Sequence, residues 1–286
     1  MCRKRALAAT ALVAAVAALS ASPALALGWG RSKSPEPAKS QAGAPRAEAR
    51  PQASAEPRAT AQERAMAARL DPLARSAFWA RVVSADASDA DAGVKLAGAL
   101  RALGRYADAN QAAQRVLVVQ PDNVEALLET ARCFVAQQQG FYAVEPARRA
   151  QVLQPRDWRA PSLLGVALEQ AQRDDEALVA HRQAVALAPA NPTALSNMAM
   201  YLAGHGDSTE AERLLRKAAA DPAASMQVRQ NLALVLGLQG RLAEAEQIAR
   251  RDLPPEVVAN NLAYLRAASG GTAGRSWDSL RTPSAN

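Results

Sequence analysis

Aromatic residues make up only 4% of this 286-residue chain, and it holds two cysteines and two histidines. Each scarcity excludes something. A zinc site needs three or four ligands within tetrahedral reach, and neither His181 nor His205 has another histidine or a cysteine at helical spacing. Cys2 lies ahead of a long apolar run, so Cys133 is the one cysteine of the body and has no partner for an intrachain disulfide. A buried apolar thiol is the expectation for it. The metalloprotease pair H-E-x-x-H, the nucleophile elbow G-x-S-x-G and a phosphate-binding glycine loop are all missing. The reading is a non-catalytic protein with no metal, no cofactor and no small-molecule substrate.

Charge of one sign is also scarce where it would matter. The formal charge is +7, but Arg3, Lys4 and Arg5 stand at the extreme N-terminus. Six basic and three acidic residues fall within 27–59, and Arg275 and Arg281 face only Asp278 in the last stretch. Residues 60–268 are thus close to neutral. A nucleic-acid binder concentrates basic residues on a folded face, so no nucleic-acid partner is expected.

What the chain does have is alanine and a period. Asp89, Asn123, Asp157, Asn191 and Ser225 stand 34 residues apart, and each is a good helix N-cap type. Eight residues after the caps come Ala97, Ala131, Gly165, Ala199 and Ala233; twelve further on come Ala109, Ala143, Ala177, Ala211 and Ala245. Two helices packed as an antiparallel hairpin need small side chains where their axes approach, and these columns supply them. Pro121, Pro155 and Pro189 form a further column that stops each second helix, displaced by one residue to Pro222 in the fourth copy. Residues 228–246 are the clearest copy: Asn231-Leu232-Ala233 opens an apolar face, Gly237 and Gly240 bracket a reversal, and Leu242, Ala245 and Ile248 resume the helical spacing.

With this period and these columns, residues 90–268 resemble the tetratricopeptide repeat (TPR) family. The family's early tryptophan is replaced by Gly93, Leu127, Pro161, Leu195 and Arg229, and the aromatic of the second helix by Ala113, Ala147, His181, Leu215 and Ala249. The resemblance implies an all-α solenoid of about five helix-turn-helix repeats, with a partial repeat before them and a capping helix after.

Around that array, residues 1–26 read as a secretory signal: a basic head, an uncharged run from 6 to 21, and Ala24-Leu25-Ala26 as a cleavage site. The run is shorter than the roughly 20 residues that span a bilayer. Residues 27–59, rich in proline and alanine, read as a disordered linker, and 269–286 as a loose tail. Between 60 and 83, Met66, Leu70, Leu73, Phe78, Trp79 and Val82 are apolar at helical positions, with Pro72 dividing two pieces. Pro254-Pro255-Glu256 opens a last helix to about Ala268. The expected location is outside the cytoplasm, in the periplasm, with membrane contact only indirect.

First helices of a TPR stack line a groove that takes extended peptides. Asn197 and Asn231 each stand six residues past their caps, and Asn261 stands two before Ala263 as Asn231 does before Ala233. A carboxamide donates and accepts at once, so these three form a candidate ladder for a peptide backbone. The alternative is that they bond to neighbouring repeats.

A narrower resemblance follows from Asp157-Trp158-Arg159 with residues 164–168, from 228–246, and from Asp252-Leu253-Pro254-Pro255 leading to residues 260–266, NNLAYLR. Over roughly 158–266 the chain is similar to TadD-type proteins of tight-adherence (Flp) pilus assembly. That resemblance implies a non-catalytic envelope factor that helps assemble or localise the pilus secretion machinery, through the outer-membrane secretin complex. Such proteins are commonly lipoproteins, and no acceptor cysteine ends the apolar run here. A general periplasmic TPR chaperone or scaffold, unconnected with pili, is the other reading.

Overall fold

The computed structural model describes residues 59–270. The signal expected at 1–26, nearly all of the linker and most of the tail lie outside the described residues. Within them are thirteen α-helices and no strand. Helices α1 (Ala61–Ala67) and α2 (Pro72–Ala85) precede five hairpins: α3/α4 (Ala90–Ala102, Tyr106–Val119), α5/α6 (Val124–Ala136, Gly140–Leu153), α7/α8 (Arg159–Gln170, Asp174–Leu187), α9/α10 (Pro192–Gly204, Ser208–Ala219) and α11/α12 (Met226–Leu238, Leu242–Ala249). Helix α13 (Pro255–Gly270) closes the array. Pro72 takes the first position of α2, where its missing N–H is not needed.

Each hairpin starts on its cap. Asp89, Asn123, Asn191 and Ser225 accept from the backbone N–H groups of Ala92, Ala126, Ala194 and Val228. The fifth member, Asp157, accepts from the N–H of Arg159, yet α7 begins one residue late. The reason is Pro161. In the other repeats the residue at that position, Gly93, Leu127, Leu195 or Arg229, donates to the cap's carbonyl. Proline has no N–H, so the first helical bond of α7 runs from Ser162 to Trp158 instead.

Each hairpin also turns on a residue with positive φ: Gly104, Gln138, Gln172, Gly206 and Gly240, again 34 apart. Glycine adopts this left-handed backbone without penalty, while the two glutamines do so at a cost of roughly 1 kcal/mol each. Gly237 plays a different part from the one its sequence suggests. It is a buried residue of α11, not a bracket of the turn, and its bare backbone is where Leu265 of α13 packs.

The small columns lie where hairpin packing requires them. Ala97, Ala131, Ala199, Ala109, Ala143, Ala177 and Ala211 are fully buried, and Ala233 and Ala245 nearly so. Gly165 is the exception that explains itself: a Cβ there would sit 2.6 Å from the His181 ring, which fills the space that Ala113 and Ala147 leave to alanines in the first two repeats. Helix α13 continues the register of α11 at a spacing of 30, with Val258, Leu262 and Leu265 buried as Val228, Leu232 and Val235 are. Ala263 is exposed where its counterpart Ala233 is buried, because no second helix follows α13 among the described residues.

Candidate protein-binding face

The first helices touch one another: α3 packs against α5, α5 against α7, α7 against α9, α9 against α11, and α11 against α13. The second helices lie farther apart and meet through long side chains, as where Gln151 of α6 donates to Gln183 of α8 at 2.7 Å and Arg216 of α10 pairs with Glu244 of α12 at 2.8 Å. The first helices therefore share one face, crossed by a seam of side chains that link each repeat to the next.

The seam changes chemistry along its length. In the N-terminal half it is ionic. Arg101 of α3 donates from Nε to Glu129 of α5 at 2.7 Å, and Arg132 donates to the other oxygen of that carboxylate at 2.5 Å. Arg159 of α7 bridges Glu125 of α5 at 2.6 Å and Asp157 beside it. Glu129 is buried. Burial works against the Arg101 charge, yet the Glu129 carboxylate holds the guanidinium above its ordinary pKa. Cys133, one turn on from Glu129, is fully buried; burial first and Glu129 second push its thiol up to about 11, so it stays protonated and unreactive.

In the C-terminal half the seam carries no charge. Asn197 of α9 donates from Nδ2 to Ser162 Oγ of α7 at 2.9 Å, and Asn231 of α11 donates to Ser196 Oγ of α9 at 3.0 Å. Asn231 Oδ1 accepts from Gln227 at 2.9 Å. Three residues past each asparagine, on the same face, come half-buried Met200 and Leu234. On α13 the same places hold exposed Asn261 and Tyr264, the latter 49% exposed.

The three asparagines thus fall at one register position on successive first helices. Two of them bond back to the preceding repeat and keep hydrogen-bonding capacity to spare: each amide nitrogen has a second hydrogen, and Asn197 has its carbonyl oxygen as well. The serine bonds fix the carboxamide orientation. Ser162 and Ser196 were not readable as partners in the sequence, since each is 35 residues from its asparagine and one position out of register with it. The apolar half of the pattern, Met200, Leu234 and Tyr264, was visible only once the register of α13 was known.

The two histidines serve packing. His181 is buried, with Nε2 2.5 Å from Glu169 Oε1, and His205 stacks on Tyr201 at 4.1 Å between ring centroids. The Tyr201 hydroxyl donates to the Asp174 carbonyl at 3.0 Å. Among the described residues no three His, Cys, Asp or Glu side chains converge as a metal-ion site, and no helix is long and apolar enough to cross a membrane.

Comparison with known proteins agrees with this geometry. A tetratricopeptide repeat model matches residues 94–139 and 196–256. A thermophilic TPR protein of Thermus thermophilus is similar over 62% of this chain and 99% of its own, at 23% identity and a TM-score of 0.56. MamA of Desulfovibrio magneticus is 20% identical over 55% of this chain and 90% of its own, with a TM-score of 0.48. No curated protein matches the chain. These stretches are tetratricopeptide repeats and the described helices form a TPR solenoid, a fold that serves as a scaffold for protein–protein interaction.

Proposed function

We propose that this chain is an envelope docking factor that supports assembly or localisation of the Tad (Flp) pilus secretion machinery, and that its uncharged strip on α9, α11 and α13 receives an extended segment of a pilus or secretin-complex component. The observation that carries the docking part is the strip itself: asparagine followed three residues later by Met200, Leu234 or Tyr264, on successive first helices, with no charged side chain at either position. Oriented carboxamides satisfy a peptide backbone whatever its sequence, and the apolar residues beside them take its side chains. Because the serine bonds hold the amides in place before a partner arrives, little further ordering is required on binding.

The pilus part rests on the resemblance of residues 158–266 to TadD-type proteins, and the periplasmic location on the signal-like residues 1–26. A photo-crosslinking amino acid at position 234 of the full chain, expressed in its own host, tests both. Capture of a pilin or a secretin-complex protein supports the reading. Capture of assorted unfolded exported chains, with no pilus component among them, refutes it in favour of a general periplasmic chaperone.

A further inference from the structure

The second hairpin departs from the repeat at three places that meet in space. Where the other four have Leu100, Leu168, Leu202 and Leu236, it has Phe134. Where they have Asp108, Glu176, Glu210 and Glu244, it has Tyr142, with Phe141 beside it. Phe134 and Tyr142 lie 5.7 Å apart between ring centroids, and Phe141 and Tyr142 lie 5.5 Å apart and nearly perpendicular. In a chain with three phenylalanines and four tyrosines, two of the former and one of the latter gather here, and Phe141 and Tyr142 are 73% and 61% exposed. Single exposed apolar side chains are ordinary, whereas a cluster drawn from two helices is a surface to be covered.

The charges along the same edge say what covers it. In the first, third and fifth hairpins an arginine at the N-cap of the second helix, Arg105, Arg173 or Arg241, binds the carboxylate three residues on, at 2.8, 2.7 and 2.6 Å. In the fourth, Arg213 binds Glu210 at 2.6 Å. The second hairpin has Gln139 at that cap. Its carboxylate, Glu145, follows Phe141 by four residues and Tyr142 by three, so it shares their side of α6. The two arginines within helical reach of Glu145 are turned elsewhere, Arg148 to Glu176 and Arg149 to Asp122. Glu145 is exposed, and among the described residues nothing forms an ion pair or hydrogen bond with it. Pro146 has no N–H to give to the Tyr142 carbonyl four residues back, so that acceptor lacks its helical donor as well. Among the described residues the cations that stand over aromatic rings are on Trp79 and Phe78, and none is on Phe141 or Tyr142.

We infer that the Phe141–Tyr142–Glu145 face of α6 binds an arginine side chain of a partner polypeptide. The planar guanidinium lies on an aromatic ring, whose face attracts a cation, and its several donors reach the Glu145 carboxylate and the Tyr142 carbonyl. Each of the other four hairpins meets its carboxylate at this edge with an arginine of its own; in the second the guanidinium comes from outside. Lysine brings the charge without the flat stacking surface or the fork of donors, so arginine is the preferred ligand. The site lies on a second helix, apart from the asparagine strip, and does not depend on the pilus reading.

The test is a titration of the full chain with the blocked tripeptide N-acetyl-glycyl-arginyl-glycine amide, followed by NMR of the backbone amides of residues 140–145 and the rings of Phe141 and Tyr142. Saturating shifts are expected at these groups. The citrulline version of the peptide, which keeps the shape and loses the charge, should bind about threefold or more weakly, because ring and carboxylate both favour the cation. Glu145→Gln should weaken the arginine peptide about two- to fivefold, as loss of an exposed ion pair implies. The triple variant Gln139→Arg/Phe141→Ala/Tyr142→Asp copies Arg105, Ala107 and Asp108 of the first hairpin, so it should keep its helicity and show no saturating shift on α6. An absent response in the native chain, equal binding of the arginine and citrulline peptides, or undiminished binding to Glu145→Gln or to the folded triple variant overturns the inference.

Discussion

The N-terminal and C-terminal halves of the first-helix face do the same structural job with different chemistry. Between α3, α5 and α7 the repeats are joined by guanidinium–carboxylate pairs centred on Glu129 and Arg159; between α7, α9 and α11 they are joined by carboxamide–hydroxyl bonds. An ion pair joins the repeats by satisfying one charge with another. A carboxamide on a serine joins the repeats and still presents a donor. The difference teaches that stacking alone does not require the asparagines, since salt bridges join the repeats elsewhere, which leaves room for the docking role proposed for them.

The comparison breaks hardest at the repeat between the halves. Gly165→Ala drives a methyl group into the buried His181 ring and should cost about 1–3 kcal/mol by overpacking, measured by urea unfolding. The triple variant Gly165→Ala/Glu169→Val/His181→Ala copies Ala131, Val135 and Ala147 of the second repeat and should recover most of that loss. Failure to recover would show that the third repeat depends on its polar pair.

Glu129→Ala comes next, at about 2 kcal/mol, because it leaves Arg101 and Arg132 without the buried carboxylate that both contact. Hydrogen exchange should report the loss in α3 and α5 while leaving α11 unchanged, since repeats open as neighbours and not as one body. Asn231→Ala should cost only about 1 kcal/mol, the worth of one hydrogen bond, and should loosen α9 against α11. Equal effects from the two substitutions would erase the distinction between the halves.

The smallest effect concerns pH. The hydrogen bond from Arg64 holds the Asp89 carboxyl below its usual range, despite partial burial acting the other way. Its folded pKa is depressed, so its contribution is present above about pH 4 and is lost as pH falls through the lowered folded value. Arg64→Ala should therefore reduce protection of α3 at neutral pH and flatten its dependence on acid. An unchanged acid slope in that variant would remove Asp89 from the account.

Much of the fold was legible because the repeat writes it in single columns. The caps, the alanines and the prolines each answer to a local rule, and a local rule repeated every 34 residues is hard to miss. The parts that escaped are pairwise. Gln138 and Gln172 concealed the column of left-handed turn residues, which glycine alone would have announced. Gly93 looks like a plain departure until Val116 is placed against it, and Arg229 until Asp252 is. Gly237 read as a turn signal because its real partner, Leu265, lies in a helix outside the 34-residue period. The asparagines were legible as a register, whereas their serine acceptors were not, because a hydrogen bond between repeats leaves no mark in either one alone.

The most direct measurement is the affinity of the full chain for the partner captured through position 234, compared with that of the Asn197→Ala/Asn231→Ala/Asn261→Ala variant at matched helicity. The triple variant should bind roughly tenfold or more weakly, a loss of about 1.4 kcal/mol or greater. Unchanged affinity with unchanged helical content would show that the strip joins repeats and does nothing more.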